Sequence, residues 1–391
     1  MFNLHTWFPA YIGVDNIMNN MSFDPIWQTL SLGLTGVMQN RLATAVGEVG
    51  YSAHKDPYNS SKWRHSGHFK FTYSGLYPIF KLSLDINDRS ARQFSTYAEV
   101  NNTRIYKVDS RELSTPYIHG KVDMYIPFNF NSGGWNKGFI PKVSYSISND
   151  IFNTGISLSD FGTTGSMESF AGHIEGKKML RQSLSGSLRG YTMLSVANSQ
   201  VYPRWGIGAE MGTMLSIESL DVFSPMGYAY AYGYIPGIMR THGIRLTAMM
   251  QAKLRNESPF SQQIVSILPR GLSSNSTLGS HISLYNDRLY KITADYAIPI
   301  YIGDVTIGGC WLAIKRLVAY PHFDYTFIGK DGLWSAGLNL TADLHAIVTL
   351  EWPCSFGLSF SWNGGSAWKK CTNNGISMNK WFLGPIFNVS F

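Results

Sequence analysis

The side chains that could carry out chemistry in this chain lack the local spacings of known catalytic motifs. No Gly-x-Ser-x-Gly sequence is present, so the strand-to-helix turn that exposes a hydrolase serine is not indicated. His54, His65 and His68 lie near one another, but no HxxxH or HExxH spacing places two imidazoles on one helical face. We therefore expect no enzymatic activity, no metal site and no cofactor.

One glycine-rich run has the look of a nucleotide-binding loop. Gly206, Gly208 and Gly212 are spaced much as in a dinucleotide fingerprint, but they sit inside a strand pattern with no helix to follow. We interpret these glycines as positions where neighbouring side chains or a loop need room.

Charge and cysteine content exclude further classes. The net charge is +7, from 32 Lys+Arg and 25 Asp+Glu, yet no basic run stands out, so nucleic acid is not an expected partner. Cys310, Cys354 and Cys371 are odd in number and have no CxxC spacing, which indicates neither a disulfide framework nor a zinc site.

The elements that carry these residues show a period of two. Phe80, Leu82, Leu84 and Ile86 alternate with polar residues, which puts every second side chain on one face of a β-strand. The same alternation recurs at 69–73, 122–128, 143–147, 244–250, 292–300 and 356–362. A soluble β-sandwich also alternates, so the period alone leaves soluble and membrane β-proteins open.

Composition, hydropathy and strand length distinguish a membrane β-protein from the other classes. Charged residues make up 15% of the chain, too few for a disordered protein, and mean hydropathy is only -0.08. No apolar run approaches the roughly 18 to 20 residues of a transmembrane helix, which excludes a helical membrane protein. The strands span about 10 to 14 residues, against about 5 to 6 in soluble proteins. Aromatic residues at strand ends suit interfacial girdles: Trp63, Tyr77, Trp205, Trp311, Trp334 and Trp352.

We therefore predict an all-β fold, a transmembrane antiparallel up-and-down β-barrel of about 16 strands. Residues 1–27 are expected to form a periplasmic lead-in segment, and residues 28–391 the outer-membrane barrel. The segment at 94–106 is the weakest candidate strand and is kept because termini on one side require an even number. By the same parity the longest connections, at 150–177, 255–287 and 364–383, are extracellular.

The chain ends on an aromatic residue. Phe387, Val389 and Phe391 alternate with Asn388 and Ser390. This ending resembles the C-terminal signal that outer-membrane barrels present to the assembly machinery. An ordinary edge strand is the alternative, although an unprotected edge would promote aggregation in a soluble protein.

A loop arginine gives the most specific resemblance. Arg270, Gly271 and the apolar Leu272 lie on the long loop between the eleventh and twelfth predicted strands. This arrangement resembles the Omp85 superfamily, whose sixth loop folds into the barrel and carries a (Val/Ile)-Arg-Gly-(Phe/Tyr) motif. In that family the partner is an aspartate on the thirteenth strand. Asp324 matches it, whereas Thr326 stands where the family usually has glycine.

The resemblance implies a loop anchored inside the barrel by Arg270, Gly271 and Asp324, because a guanidinium can donate two hydrogen bonds to one carboxylate. The alternative is a solvated loop arginine and an unrelated carboxylate facing the lumen. The resemblance also implies a weak seam between the first and last strands. The last strand is predicted to begin at Gly384-Pro385, and proline donates no ladder hydrogen bond.

For function, the resemblance implies an integral protein of the cell outer membrane that takes part in the assembly or translocation of other outer-membrane or surface proteins. The expected partners are outer-membrane lipids and periplasmic or surface proteins, with a multi-subunit complex as one arrangement. Two alternatives stay open. One is a passive pore, which would favour anions because of the positive charge; the other is a barrel that anchors a partner.

Overall fold

The computed structural model describes residues 2–12, 30–56, 59–100, 105–150, 168–169, 180–197, 199–217, 224–255, 261–262, 268–272, 288–307, 312–347, 354–373 and 378–389. The strands, in chain order, are β1 (Phe2–Phe8), β2 (Tyr11–Ile12), β3 (Leu30–Asn40), β4 (Ala45–Asp56), β5 (Asn59–Tyr73), β6 (Ile79–Ile86), β7 (Arg92–Val100), β8 (Ile105–Glu112), β9 (Ile118–Tyr125), β10 (Phe128–Asn129), β11 (Trp135–Ser148), β12 (Glu168–Ser169), β13 (Arg181–Leu194), β14 (Gly206–Ser216), β15 (Met226–Pro236), β16 (Gly243–Lys253), β17 (Ser261–Gln262), β18 (Arg288–Ile307), β19 (Leu312–Ile328), β20 (Asp331–Ile347), β21 (Cys354–Gly364) and β22 (Trp381–Val389). The helical elements within these ranges are a 3-10 turn, η1 (Arg270–Leu272), and a short α-helix, α1 (Trp368–Asn373).

Eighteen of these strands form one sheet, and two of them, β2 and β10, are two-residue pieces, which leaves sixteen main strands. Each main strand pairs antiparallel with the next main strand along the chain, from β1 with β3 to β21 with β22. This confirms the predicted all-β, antiparallel, up-and-down topology. Among the described residues no ladder joins β22 to β1, so the sheet stays open between its first and last strands.

The sheet has a buried polar face and an exposed apolar face, the opposite of the arrangement in a soluble protein. On β21, Phe360 and Trp362 are 42% and 48% exposed, whereas Ser359, Ser361 and Asn363 are exposed by 5% or less. A similar division recurs on other main strands, except that the polar face also buries tyrosines of β15 and a few apolar side chains such as Leu289 and Leu333. We name the polar side the inner face and the apolar side the outer face. A wall with its apolar side outward suits contact with lipid chains.

No helix in the described part of the chain is both long and apolar enough to cross a membrane.

The N-terminal boundary differs from the prediction. Residues 1–27 were expected to form a lead-in, but Phe2–Phe8 is the first strand of the sheet and pairs with β3. Its register shifts between Leu4 and Thr6, which places the outward apolar residues at Leu4 and Trp7 rather than at alternate positions. An extra residue of this kind breaks the period of two, and that break hid the strand in the sequence.

The weak candidate at 94–106 is not a barrel strand. The chain there forms β7 and β8, which pair with each other in a separate two-stranded sheet between β6 and β9. The segment predicted as one strand of the main sheet instead contributes to two strands that pair with each other, because a local sequence pattern does not reveal a strand's partner. The total of sixteen still holds, since β1 takes the place of this segment.

The glycine run on β14 has the role predicted for it. A Cβ added to Gly208 would lie 2.2 Å from the ring of Tyr232, and one on Gly212 would lie 2.8 Å from that of Tyr228. Both tyrosines belong to β15 and are buried on the inner face. The glycines make room for cross-strand aromatic rings.

Candidate functional site

The loop between β16 and β18 returns to the inner face of the sheet at η1. Arg270 donates to Asp324 of β19 through Nη2 to Oδ1 at 2.6 Å and through Nε to Oδ2 at 2.9 Å. The backbone N–H of Arg270 also donates to Oδ2 of Asp324 at 2.8 Å. One carboxylate thus holds both the side chain and the backbone of the loop. The predicted pairing of Arg270 with Asp324 is present in the structure.

Two further charged groups complete this cluster. Arg270 Nη1 lies 2.6 Å from Oδ1 of Asp295 on β18, so the guanidinium bridges two strands. Lys291, also on β18, donates from Nζ to the carbonyl oxygen of Leu268 at 2.7 Å. We name Arg270, Lys291, Asp295 and Asp324 the loop anchor. Its two cations and two carboxylates balance, which enclosed charges require.

Gly271 is needed because the loop backbone touches the wall. A Cβ at this position would lie 2.1 Å from Oδ1 of Asn363 and 2.8 Å from Cβ of Ser361. The carbonyl oxygen of Gly271 accepts a hydrogen bond from Nδ2 of Asn363 at 3.1 Å, and its N–H donates to Ser335 at 3.3 Å. Any larger residue would lift the loop off β20 and β21.

An apolar cluster holds the loop on either side of the arginine. Leu268 and Leu272 are 4% and 3% exposed, and they pack in one cluster with Leu289, Leu333 and Cys371. Cys371 lies on α1, so the connection between β21 and β22 packs on the same cluster. Burying each leucine side chain contributes roughly 2 kcal/mol. The loop is therefore held by apolar packing as well as by ions.

The predicted C-terminal features are described only in part. Phe387 and Val389 belong to β22, but their side chains, and the whole of Phe391, lie outside the described residues. The last strand begins at Trp381, not at Gly384-Pro385 as predicted, because outward apolar residues continue the ladder with β21 up to Trp362. Pro385 therefore lies within an edge strand, where it removes one donor from the ladder.

A second polar cluster, which no sequence motif indicated, lies on the inner face. Ser52 Oγ lies 2.9 Å from Nε2 of His68, and Nδ1 of His68 lies 2.7 Å from Oδ1 of Asp85. His119 Nδ1 is 3.4 Å from the other oxygen of Asp85, and His54 Nδ1 is 3.3 Å from Ser52 Oγ. We name these five residues the serine cluster. They come from four strands, β4, β5, β6 and β9, and nearby histidines were the only trace in the sequence.

The comparisons with known proteins give distant similarities of fold. No family model matches the chain, and no curated protein matches it in sequence. CdiB from Escherichia coli is similar over 92% of this chain and 60% of its own, with a TM-score of 0.49 and 9% identity. BamA from Haemophilus ducreyi, in a structure lacking POTRA domains 1-3, is similar over 92% of this chain and 66% of its own, with a TM-score of 0.44 and 10% identity.

This chain thus spans 60% and 66% of the length of those two chains. In the structure, the arginine of the loop between the eleventh and twelfth main strands meets the aspartate of the thirteenth, which is the contact that the sequence resemblance implied.

Proposed function

We propose that this chain is an integral outer-membrane barrel of Omp85 type that takes part in assembling or translocating other outer-membrane or surface proteins. The observation that carries the proposal is the loop anchor. Arg270 is held by Asp324 and Asp295, and this contact fixes residues 268–272 of the loop on the inner face. A loop held on the inner face by three hydrogen bonds and an ion pair supports a barrel whose lumen is occupied rather than open.

The open edge of the sheet supports the same proposal. Among the described residues, β1 and β22 make no ladder with each other, and Pro385 removes a donor from the middle of β22. A strand edge with free backbone groups can pair with an incoming extended segment, which is the common mode of β-strand addition. A client strand would therefore find its partner at this seam.

The partners follow from the two faces. The outer face, with Leu358 and Leu383 at 56% and 72% exposure, would contact outer-membrane lipids. The seam and the ends of the strands would contact protein partners from the periplasm or the cell surface, and such contacts allow a multi-subunit complex.

The test replaces the native gene by an Arg270→Ala variant and measures outer-membrane and surface proteins by quantitative proteomics. Arg316→Ala is the matched control. Arg316 also pairs with a wall carboxylate, Asp343, but it lies on β19 and not on the loop. We expect Arg270→Ala to deplete a set of client proteins by more than any fall in the level of the barrel itself. Unchanged client levels at a normal level of the Arg270→Ala barrel would refute the proposal.

A further inference from the structure

We propose that the serine cluster is a second site, an acyl-transfer site in which Ser52 is the nucleophile and His68 its general base. This goes beyond the assembly function and departs from the expectation that the chain has no enzymatic activity. Ser52, His68 and Asp85 lie on the inner faces of β4, β5 and β6, three consecutive strands of the wall.

The two ring nitrogens of His68 face the groups that activation of Ser52 requires: Nδ1 faces Asp85 and Nε2 faces Ser52. An ionised carboxylate only accepts hydrogen bonds, so the 2.7 Å contact with Asp85 places the proton of His68 on Nδ1. Nε2 then carries the lone pair, and it lies 2.9 Å from Ser52 Oγ, within the range for removing a hydroxyl proton. Asp85 is a positioning residue, because it acts through the imidazole.

The register of the sheet fixes this order. His68 is the cross-strand partner of Asp85, and Asp85 is the partner of His119. The second oxygen of Asp85 lies 3.4 Å from His119 Nδ1, so an imidazole holds the carboxylate on either side. Ser52, His68 and His119 are 1%, 6% and 8% exposed. The donors and acceptors are therefore preorganised in a largely enclosed site.

His54 is two residues from Ser52 on β4 and contacts its hydroxyl. Its Nε2 lies 2.7 Å from the backbone oxygen of Asp88, which only accepts, so Nε2 carries a proton. Its Nδ1 faces Ser52 Oγ at 3.3 Å.

The substrate class is a small carboxylic ester. Ser52 Oγ forms a bond to the carbonyl carbon, and its proton passes to Nε2 of His68. The ester C–O bond then breaks, and the alcohol leaves with that proton. Water attacks the acyl-serine with His68 again as base, which releases the carboxylic acid and restores Ser52. No co-reactant other than water is required.

Tyr11 covers this site. Its ring stacks on that of His68 with centroids 3.9 Å apart, and it fills the space over Gly50, where a Cβ would lie 2.4 Å from the ring. The short strand β2 holds Tyr11 against β3, and Thr35 donates to the carbonyl oxygen of Ala10 at 2.9 Å. Removing this ring should therefore speed the entry of a reagent.

The experiment labels the folded chain of residues 1–391 in detergent with diisopropyl fluorophosphate and locates the adduct by peptide mass spectrometry. We expect one adduct, at Ser52, that is lost in Ser52→Ala and after heat unfolding. The matched control is Ser66→Ala. Ser66 is the cross-strand partner of Ser52, equally buried at 1%, and hydrogen bonds only to a backbone oxygen. Its variant should label like the wild type.

Two variants separate catalysis from structure. His68→Gln should lower the labelling rate by about 100-fold or more, because general-base assistance is lost. Tyr11→Ala should raise the rate. Hydrolysis of p-nitrophenyl acetate should follow the same order. The proposal is overturned by absence of an adduct at Ser52 in both the wild type and Tyr11→Ala, or by equal rates in folded wild type and His68→Gln. Neither result would bear on the loop anchor.

Discussion

The loop anchor and the serine cluster are both polar sites on the inner face, but they differ in the origin and the charge of their partners. The anchor joins a loop to the wall through two cations and two carboxylates, with Arg270 and Asp324 54 positions apart in the chain. The serine cluster joins neighbouring strands of the wall and holds one carboxylate among imidazoles and a hydroxyl. Permanent charges suit a fixed attachment, whereas imidazoles can take up and release a proton.

The largest effect should come from breaking the anchor with Arg270→Ala. This change leaves Asp295 and Asp324 without their arginine, which we expect to lower the free energy of unfolding by roughly 2 to 3 kcal/mol. This loss is smaller than that for a fully buried ion pair, because the Arg270 side chain is 25% exposed. In planar bilayers the wild type should pass little steady current and the variant should flicker open. A stable open pore in both would indicate a passive channel instead.

One Asp→Asn substitution in each cluster tests whether the loop anchor and the serine cluster are separate sites. Asp324→Asn removes a fully buried charge that faces Arg270, so it should cause flickering currents like those of Arg270→Ala. Asp85→Asn should leave the bilayer current as in the wild type and slow the labelling of Ser52, because His68 loses its orienting acceptor. If both variants changed both readouts alike, the two clusters would not be separate sites.

A smaller effect should follow from lifting the loop without removing a charge. Gly271→Ala places a Cβ 2.1 Å from Oδ1 of Asn363, a steric conflict expected to cost about 1 to 3 kcal/mol. Gly186→Ala is the control, since a Cβ there meets nothing within 4 Å. Thermal unfolding in detergent should shift for the first variant only. Equal shifts would mean that Gly271 is not held against β21.

The smallest effect should come from charges outside both clusters. Lys62 and Glu112 form an ion pair at 2.8 Å with side chains 50% and 33% exposed, so Lys62→Ala should cost about 0.5 kcal/mol or less. Hydrogen bonds from Lys62 and Arg64 hold the pKa of Glu112 below its ordinary value. Its contribution should be complete above that ordinary value and be lost as the pH falls through the lowered pKa. Unfolding of the wild type and Glu112→Gln measured against pH checks this; a difference that grows in acid would contradict it.

Much of the fold could be predicted from the sequence, because the alternation that marks a strand is local. The exceptions have local causes as well. The bulge between Leu4 and Thr6 hid β1, and the segment predicted as one wall strand at 94–106 belongs to β7 and β8, which form their own sheet. The strand count nevertheless agreed because these two errors offset each other.

The two clusters were unequally predictable. Arg270 and Gly271 are adjacent on the long loop between the eleventh and twelfth strands. The resemblance of this loop to the Omp85 superfamily therefore indicated Arg270 and its partner Asp324. Lys291 and Asp295 carried no such signal. Ser52, His68 and Asp85 lie 16 and 17 positions apart, on strands whose spacing depends on turn length and register. No fixed sequence interval marks such a set, so a search for local motifs misses it.

The sequence by itself determined the strands, the apolar outer face and the loop that carries Arg270, because each depends on residues close together in the chain. The tertiary structure decided which strands share the wall, where the sheet stays open and which side chains meet on the inner face. Those outcomes depend on cross-strand register, and a shift of one residue would turn His68 and Asp85 to the outer face.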